Sequence, residues 1–208
     1  MKIDRAGYPF IAAAMVPALG LTLLEFYAWA LPLLGVGAAL VFFFRDPDRQ
    51  TPESRGRVIA PADGRIMVAG PPQPGAAPPG AWAQVSIFLS PLDVHVNRIP
   101  VSGRVARVDY RKGGYRAAYR PEATVENERN EIWIEGETGT VVCRQVTGVL
   151  VRRVVCRVRS EDHVRAGDRF GIMKFGSRID LFVPPEARLL VGVGDRVLAG
   201  ETPIADLP

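Results

Sequence analysis

The chain has 208 residues, 48% of them hydrophobic, and a net charge of +4, which suits one modest domain with an appendage. All but three of its 26 basic residues are arginine, the lysines being Lys2, Lys112 and Lys174; arginine forks suit phosphate and carboxylate groups, although an arginine-favouring coding bias gives the same balance. No dense basic run is present, so no nucleic-acid partner is expected, whereas a basic surface beside a bilayer attracts anionic lipid.

Residues 8–24 carry no charge, Glu25 interrupts, and 26–44 is again uncharged. Each stretch is roughly long enough to cross a bilayer core as a helix, despite Pro17 and Pro32. Lys2 and Arg5 precede the pair and Arg45 and Arg49 follow it, so both ends belong on the cytoplasmic face, with Glu25 at the tip of a helical hairpin. A cleaved signal peptide, a re-entrant element and a buried helix pair are the alternatives; the second apolar stretch and the absence of a polar face speak against the first and the last. The expectation is a membrane-anchoring hairpin and exit linker over 1–50 at the cell membrane.

Beyond it, short runs rich in Val, Ile and aromatics at 66–69, 83–89, 105–110, 131–135, 140–146, 149–159 and 178–183 are punctuated by Gly and Pro, and no amphipathic helix is expected after residue 50. A mainly β domain over 51–208 follows, a sandwich or partly open barrel. Four Gly-turn-to-strand units, around Gly64, Gly103, Gly167 and Gly194, are similar to the hairpins of barrel-sandwich carrier domains. Residues 71–80 form a surface loop, and 111–130 is long enough to be either a functional cover or disordered.

Three stretches carry chemistry. Ala60-Pro61-Ala62-Asp63-Gly64 places a carboxylate in a turn before a strand. In Ser90-Pro91-Leu92-Asp93-Val94-His95-Val96-Asn97-Arg98, an extended chain puts Asp93, His95 and Asn97 on one face. His95 and His163 are the only histidines, and no metal site is expected. Two cysteines, Cys143 and Cys156, lack the spacing of a zinc site or disulfide framework. In Phe175-Gly176-Ser177-Arg178, a serine after glycine can attack its own preceding carbonyl. Ser177 is in phase with Ile179, Leu181 and Val183 and should face the interior.

The apolar N-terminus, Ala60-Pro61-Ala62-Asp63-Gly64, Ser90-Pro91-Leu92-Asp93-Val94-His95 with Pro100, and Phe175-Gly176-Ser177 together resemble the short form of the phosphatidylserine decarboxylase family. The resemblance implies a pyruvoyl-dependent enzyme, made as a proenzyme that cuts itself between Gly176 and Ser177. Ser177 then becomes the pyruvoyl group and the two cleaved chains stay associated; a homo-oligomer is compatible with this. Asp63 and His95 are the residues available to activate the serine, and Arg98 or Arg178 to meet the anionic groups of phosphatidylserine. The chain departs from longer members at Arg98, where they carry a second histidine, and at Phe175 and Arg178, where Leu-Gly-Ser-Thr is usual. The step served by His95, cleavage or decarboxylation or both, stays open. A pyruvoyl group supplies the electron sink that loss of CO₂ from an α-amino acid needs, and His95 is the candidate proton donor. Competing readings are a biotinyl- or lipoyl-like carrier using Lys174, a β interaction module without chemistry, and a pyruvoyl enzyme for a soluble amino acid.

Overall fold

A computed structural model describes residues 2–53, 55–149, 154–174 and 177–208. The chain divides into two compact units, Met1–Asp48 and Arg49–Pro208.

In the first unit, α1 (Tyr8–Leu23) and α2 (Tyr27–Phe43) form the expected apolar hairpin, turned at Glu25 with a left-handed φ of 64°. Helix α1 extends an opening turn, so that Arg5–Leu23 is long and apolar enough to cross a membrane, while Tyr27–Phe43 is a shorter apolar helix. Small residues line the seam between them: Ala14, Ala18, Ala30 and Gly37 are buried. A Cβ on Gly37 would lie 2.4 Å from Met15 Sδ, so the helices approach as closely as a side chain allows. Val16, Leu19, Leu23, Trp29 and Leu31 point outward. Before α1, β1 (Lys2–Ile3) pairs antiparallel with β2 (Arg45–Asp46), bringing both ends of the hairpin together.

The second unit is mainly β. Its strands in chain order are β3 (Arg57–Ile59), β4 (Gly64–Gly70), β5 (Ala83–Leu89), β6 (Val96–Arg98), β7 (Gly103–Arg111), β8 (Arg129–Gly136), β9 (Gly139–Val146), β10 (Val154–Cys156), β11 (His163–Val164), β12 (Arg169–Met173), β13 (Ser177–Val183), β14 (Arg188–Leu189), β15 (Arg196–Val197) and β16 (Pro203–Asp206). They build an eight-stranded sheet, β11-β7-β8-β9-β13-β5-β4-β15, and two three-stranded sheets, β10-β12-β6 and β14-β16-β3. The sheets are open, so the sandwich expectation fits and the barrel does not close. Strand β13 lies centrally, paired with β5 on one side and β9 on the other. Ile87, Leu89, Ile179, Leu181 and Cys143 on the large sheet pack with Phe170 and Met173 of β12 in one core.

One expectation is corrected, and of the two alternatives left open for 111–130 disorder is removed. The run at 149–159 is strand only over Val154–Cys156: Val149 lies in a turn, residues 150–153 lie outside the described residues, and Arg159 enters a turn closed by Asp162, whose carboxylate accepts from Arg159 N at 2.8 Å. The segment 111–130 is ordered and contains one helical turn, α3 (Ala123–Glu126). Asn127 holds it: its Oδ1 accepts from Arg116 N at 2.9 Å, and its Nδ2 donates to the carbonyls of Arg116 and Thr147, each at 2.8 Å.

Candidate active site

Strand pairing brings the chemical stretches to one end of the large sheet. Ser177, the first residue of β13, pairs with Leu89, the last of β5, and Arg65 near the start of β4 pairs with Phe88. Asp63 therefore enters beside the same end, two strands from Ser177, or about 10 Å at the usual strand spacing. From Leu89 the chain runs through Ser90–His95 into β6, while from Ser177 it runs back to β12. Those two connections are tied at their far ends, where Met173 N donates to His95 O at 3.3 Å. His95 and Ser177 thus lie on two short connections joined at both ends.

The side chains follow from strand alternation. Ser177 shares its face with Ile179 and Leu181 and is fully buried, and among the described residues its Oγ has no hydrogen-bond partner. His95 is fully buried and its Nδ1 lies 2.9 Å from the Asp93 carbonyl oxygen. A carbonyl only accepts, so Nδ1 carries the hydrogen and Nε2 is the basic nitrogen. Asp93 is itself fixed, one oxygen accepting from Ser90 N at 2.8 Å and the other from Arg196 Nη2 at 2.7 Å.

Asp63 is 6% exposed. Its Oδ1 accepts from Ala199 N and its Oδ2 from Arg49 Nη2, both at 2.7 Å. Burial raises its pKa above the ordinary carboxylate value, opposed by the Ala199 N–H and Arg49 and reinforced by the nearby Asp93 charge. The contact orienting His95 Nδ1 is therefore the Asp93 carbonyl, while Asp63 ties down the residue-49 entry and the residue-199 turn. Arg49, which sequence reading treated only as a membrane-flanking charge, also bonds Glu201 at 3.2 Å.

The two arginines considered for anion binding lie off the Ser177 face. Arg98 alternates away from Asn97, its Nη1 donating to Gly167 O at 2.9 Å and its stem packing where a Cβ on Gly200 would meet it at 2.7 Å. Arg178 follows Ser177 and so points through the opposite face of β13. It is fully buried, with Nε bonded to Asp180 at 2.5 Å and Nη2 to Gln73 at 2.6 Å and Ser86 at 2.9 Å. Asp180 in turn accepts from Thr124 at 2.5 Å, so the 111–130 segment caps this polar layer behind the strand that begins at Ser177. Lys174, the carrier candidate, is half-buried just after β12. Gly176 and Phe175 lie outside the described residues.

Among the described residues no group of three His, Cys, Asp or Glu side chains could hold a metal ion. A buried hydroxyl with no partner among the described residues is chemically suited to become a nucleophile where a base such as the His95 imidazole reaches it.

The family model described as phosphatidylserine decarboxylase matches residues 36–205. A protein of Nitrosomonas eutropha named phosphatidylserine decarboxylase proenzyme is 42% identical over 205 residues, covering 98% of this chain and 94% of the relative. Proteins of the same name from Azorhizobium caulinodans and Xanthobacter autotrophicus are 42% and 43% identical, covering 99% and 100% of this chain and 89% and 90% of the relatives. A match of this extent, spanning both the β unit and α2, places the chain in the phosphatidylserine decarboxylase family.

Proposed function

We propose that the chain decarboxylates phosphatidylserine to phosphatidylethanolamine with a pyruvoyl group made from Ser177 by self-cleavage after Gly176. The observation that carries this is the fully buried Ser177 Oγ, which has no hydrogen-bond partner among the described residues and stands at the end of a central strand. In the maturation step, Ser177 Oγ attacks the preceding carbonyl carbon as His95 Nε2 takes its proton. The peptide C–N bond breaks, leaving an ester on Oγ and a free amine at residue 177. Loss of the α-hydrogen and cleavage of Cβ–Oγ release the upstream chain as a carboxylate. Water then converts the remaining dehydroalanine to the pyruvoyl group with loss of ammonia.

A pyruvoyl carbonyl supplies the electron sink for the pair left behind by CO₂. The position of residue 177 fits such a group: it is enclosed by Leu89 and the core, so competing water is limited. His95 holds and returns the proton required at the substrate α-carbon. Asp63 acts as a positioning residue, clamping Arg49 and the residue-199 turn beside the site. The product chains stay together because 177–208 supplies β13 to the centre of the large sheet, β15 to its edge, and β14 and β16 to a small sheet.

The apolar hairpin supports a membrane location, and the flanking Lys2, Arg5 and Arg45 favour the cytoplasmic leaflet, where anionic lipid attracts them, while Arg49 is engaged by Asp63 and Glu201. The test is CO₂ release by purified chain supplied with phosphatidylserine vesicles or with free serine. Release from the vesicles alone supports the lipid substrate; release from free serine alone contradicts it.

A further inference from the structure

The carbonyl that sets the His95 tautomer belongs to a turn with an exposed tip. Ser90 is half-buried, Pro91 and Leu92 are exposed, and the chain is buried again from Asp93. Bonds inside the turn fix its shape: Asp93 N donates to Ser90 O at 2.9 Å, and Ser90 N donates to Asp93 Oδ2 at 2.8 Å. The other carboxylate oxygen, Oδ1, accepts from Arg196 Nη2 at 2.7 Å and so ties the turn to a different element. Two residues on, His95 Nδ1 meets the Asp93 carbonyl at 2.9 Å. Arg196, Asp93 and His95 thus form one continuous chain of contacts.

Arg196 opens β15, the edge strand of the large sheet, and its backbone is firmly held. Strand β15 pairs with Gly64 and Arg65 of β4, and the turn before it bonds the same strand, Gly194 N donating to Ile66 O and Ile66 N to Asp195 O, each at 2.9 Å. For the strand itself, arginine is a poor choice at this position. It stands directly opposite Arg65, and like charges facing each other across an antiparallel pair repel. Its side chain is 67% exposed, so it adds little to the core, which Val197 enters instead. What the arginine does reach is Asp93. That residue is 8% exposed, and its charge adds to the rise that burial causes in the Asp63 pKa, so a cation beside it steadies both carboxylates.

We propose that Arg196 is a positioning residue for His95, acting through Asp93, so that the base is set only once the chain beyond the cleavage point has folded onto β4. The role rests on the maturation step given above, in which His95 is the base. A turn with an exposed tip and no outside tie lets its carbonyl leave Nδ1; the ring hydrogen can then move to Nε2, which removes the lone pair that takes the proton. Arg196 prevents this by holding the turn from a strand that is itself pinned to the sheet. After the cut, Arg196 belongs to the short chain and His95 to the long one. The same bond then spans the two products and keeps the imidazole oriented for turnover.

The test compares full-length wild type with Arg196→Met, which keeps a long stem without a donor, and Arg196→Lys, which keeps the charge. Conversion of newly made chain into two chains is followed by denaturing electrophoresis. A hydrogen bond to a charged group is worth about a tenfold factor, so the methionine variant should process about tenfold more slowly and the lysine variant close to the wild-type rate. Melting temperature should not fall with methionine, because repulsion from Arg65 is relieved as an exposed pair is lost. The tautomer is read from the histidine side-chain ¹⁵N signals of the full chain in detergent, with Ser177→Ala added throughout so that every sample is uncut. His95 and His163 are the only histidines, and His163→Gln assigns them. His95 should be in the Nδ1–H form with arginine or lysine at 196 and should lose it in part with methionine. A methionine variant that processes at the wild-type rate, or is slow with His95 still wholly Nδ1–H, overturns the role of Arg196, as does a lysine variant as slow as methionine. A wild-type chain that never processes contradicts the maturation reading instead, and the tautomer comparison in the uncut chain still decides Arg196.

Discussion

At the scale of single residues, the site rests on polar groups held where water cannot satisfy them. His95 has one ring nitrogen committed to the Asp93 carbonyl, so substitution removes a base with a fixed tautomer. His95→Ala should slow chain cleavage at least about 10²-fold, read as the half-time of the full-length band. The Arg178–Asp180 pair makes the opposite kind of demand. Both residues are fully buried, and removing one leaves the other charge uncompensated. Asp180→Ala should cost about 3–5 kcal/mol in urea unfolding, whereas replacing both partners with apolar residues should cost less. Ser177, His95 and Asp63 stood out in the sequence as candidates because each sits in a short stretch with a turn or alternation signal. Their partners did not: Ala199 meets Asp63 from the far end of the domain, Arg49 showed only as a flanking charge, and the Asp93 carbonyl that meets His95 is a backbone group, which no residue type marks.

Among elements, hydrophobic alternation marked the long strands well. The runs at 66–69, 83–89, 105–110, 140–146 and 178–183 all fall inside strands, with ends displaced by one or two residues where glycine turns feed the pairing. Short strands such as β6 and β14 escaped because two or three residues show too little periodicity, while β12 and β15 were marked only by the glycine turns around Gly167 and Gly194; β12 pairs with β6 through a bulge near Arg169. The 111–130 segment looked unstructured because its order comes from Asn127 and from Thr124 on Asp180 rather than from an apolar face. Two element-scale outcomes follow. Gly171→Ala should destabilise the β unit by about 1–3 kcal/mol, since the added methyl meets Val155 O and Gln145, and urea unfolding measures it. In the small C-terminal sheet, hydrogen bonds from Arg188 and Arg57 hold the Asp206 pKa below its ordinary value. That contribution is present above the unfolded carboxylate pKa, about 4, and is lost as pH falls through the lower folded value. Asp206→Asn should therefore flatten the acid fall of melting temperature below about pH 4, a comparison made by thermal melts across pH.

For the whole molecule, two units divide the labour. The β unit has its own continuous core, and the helical unit turns apolar side chains outward. A chain lacking residues 1–48 should fold with an unchanged β signature in circular dichroism and lose flotation with vesicles containing phosphatidylserine; persistent flotation would place the lipid-binding surface elsewhere. The central position of β13 gives the molecule a further property: cutting the chain just before it need not release either piece. What the account needs most is the state of residue 177, and mass spectrometry of the purified chain under denaturing conditions reads it directly. The account predicts two chains broken before residue 177, the shorter one lighter than a serine-started chain by one ammonia, and a single intact chain for Ser177→Ala. Active protein with an unbroken backbone at that position would contradict it.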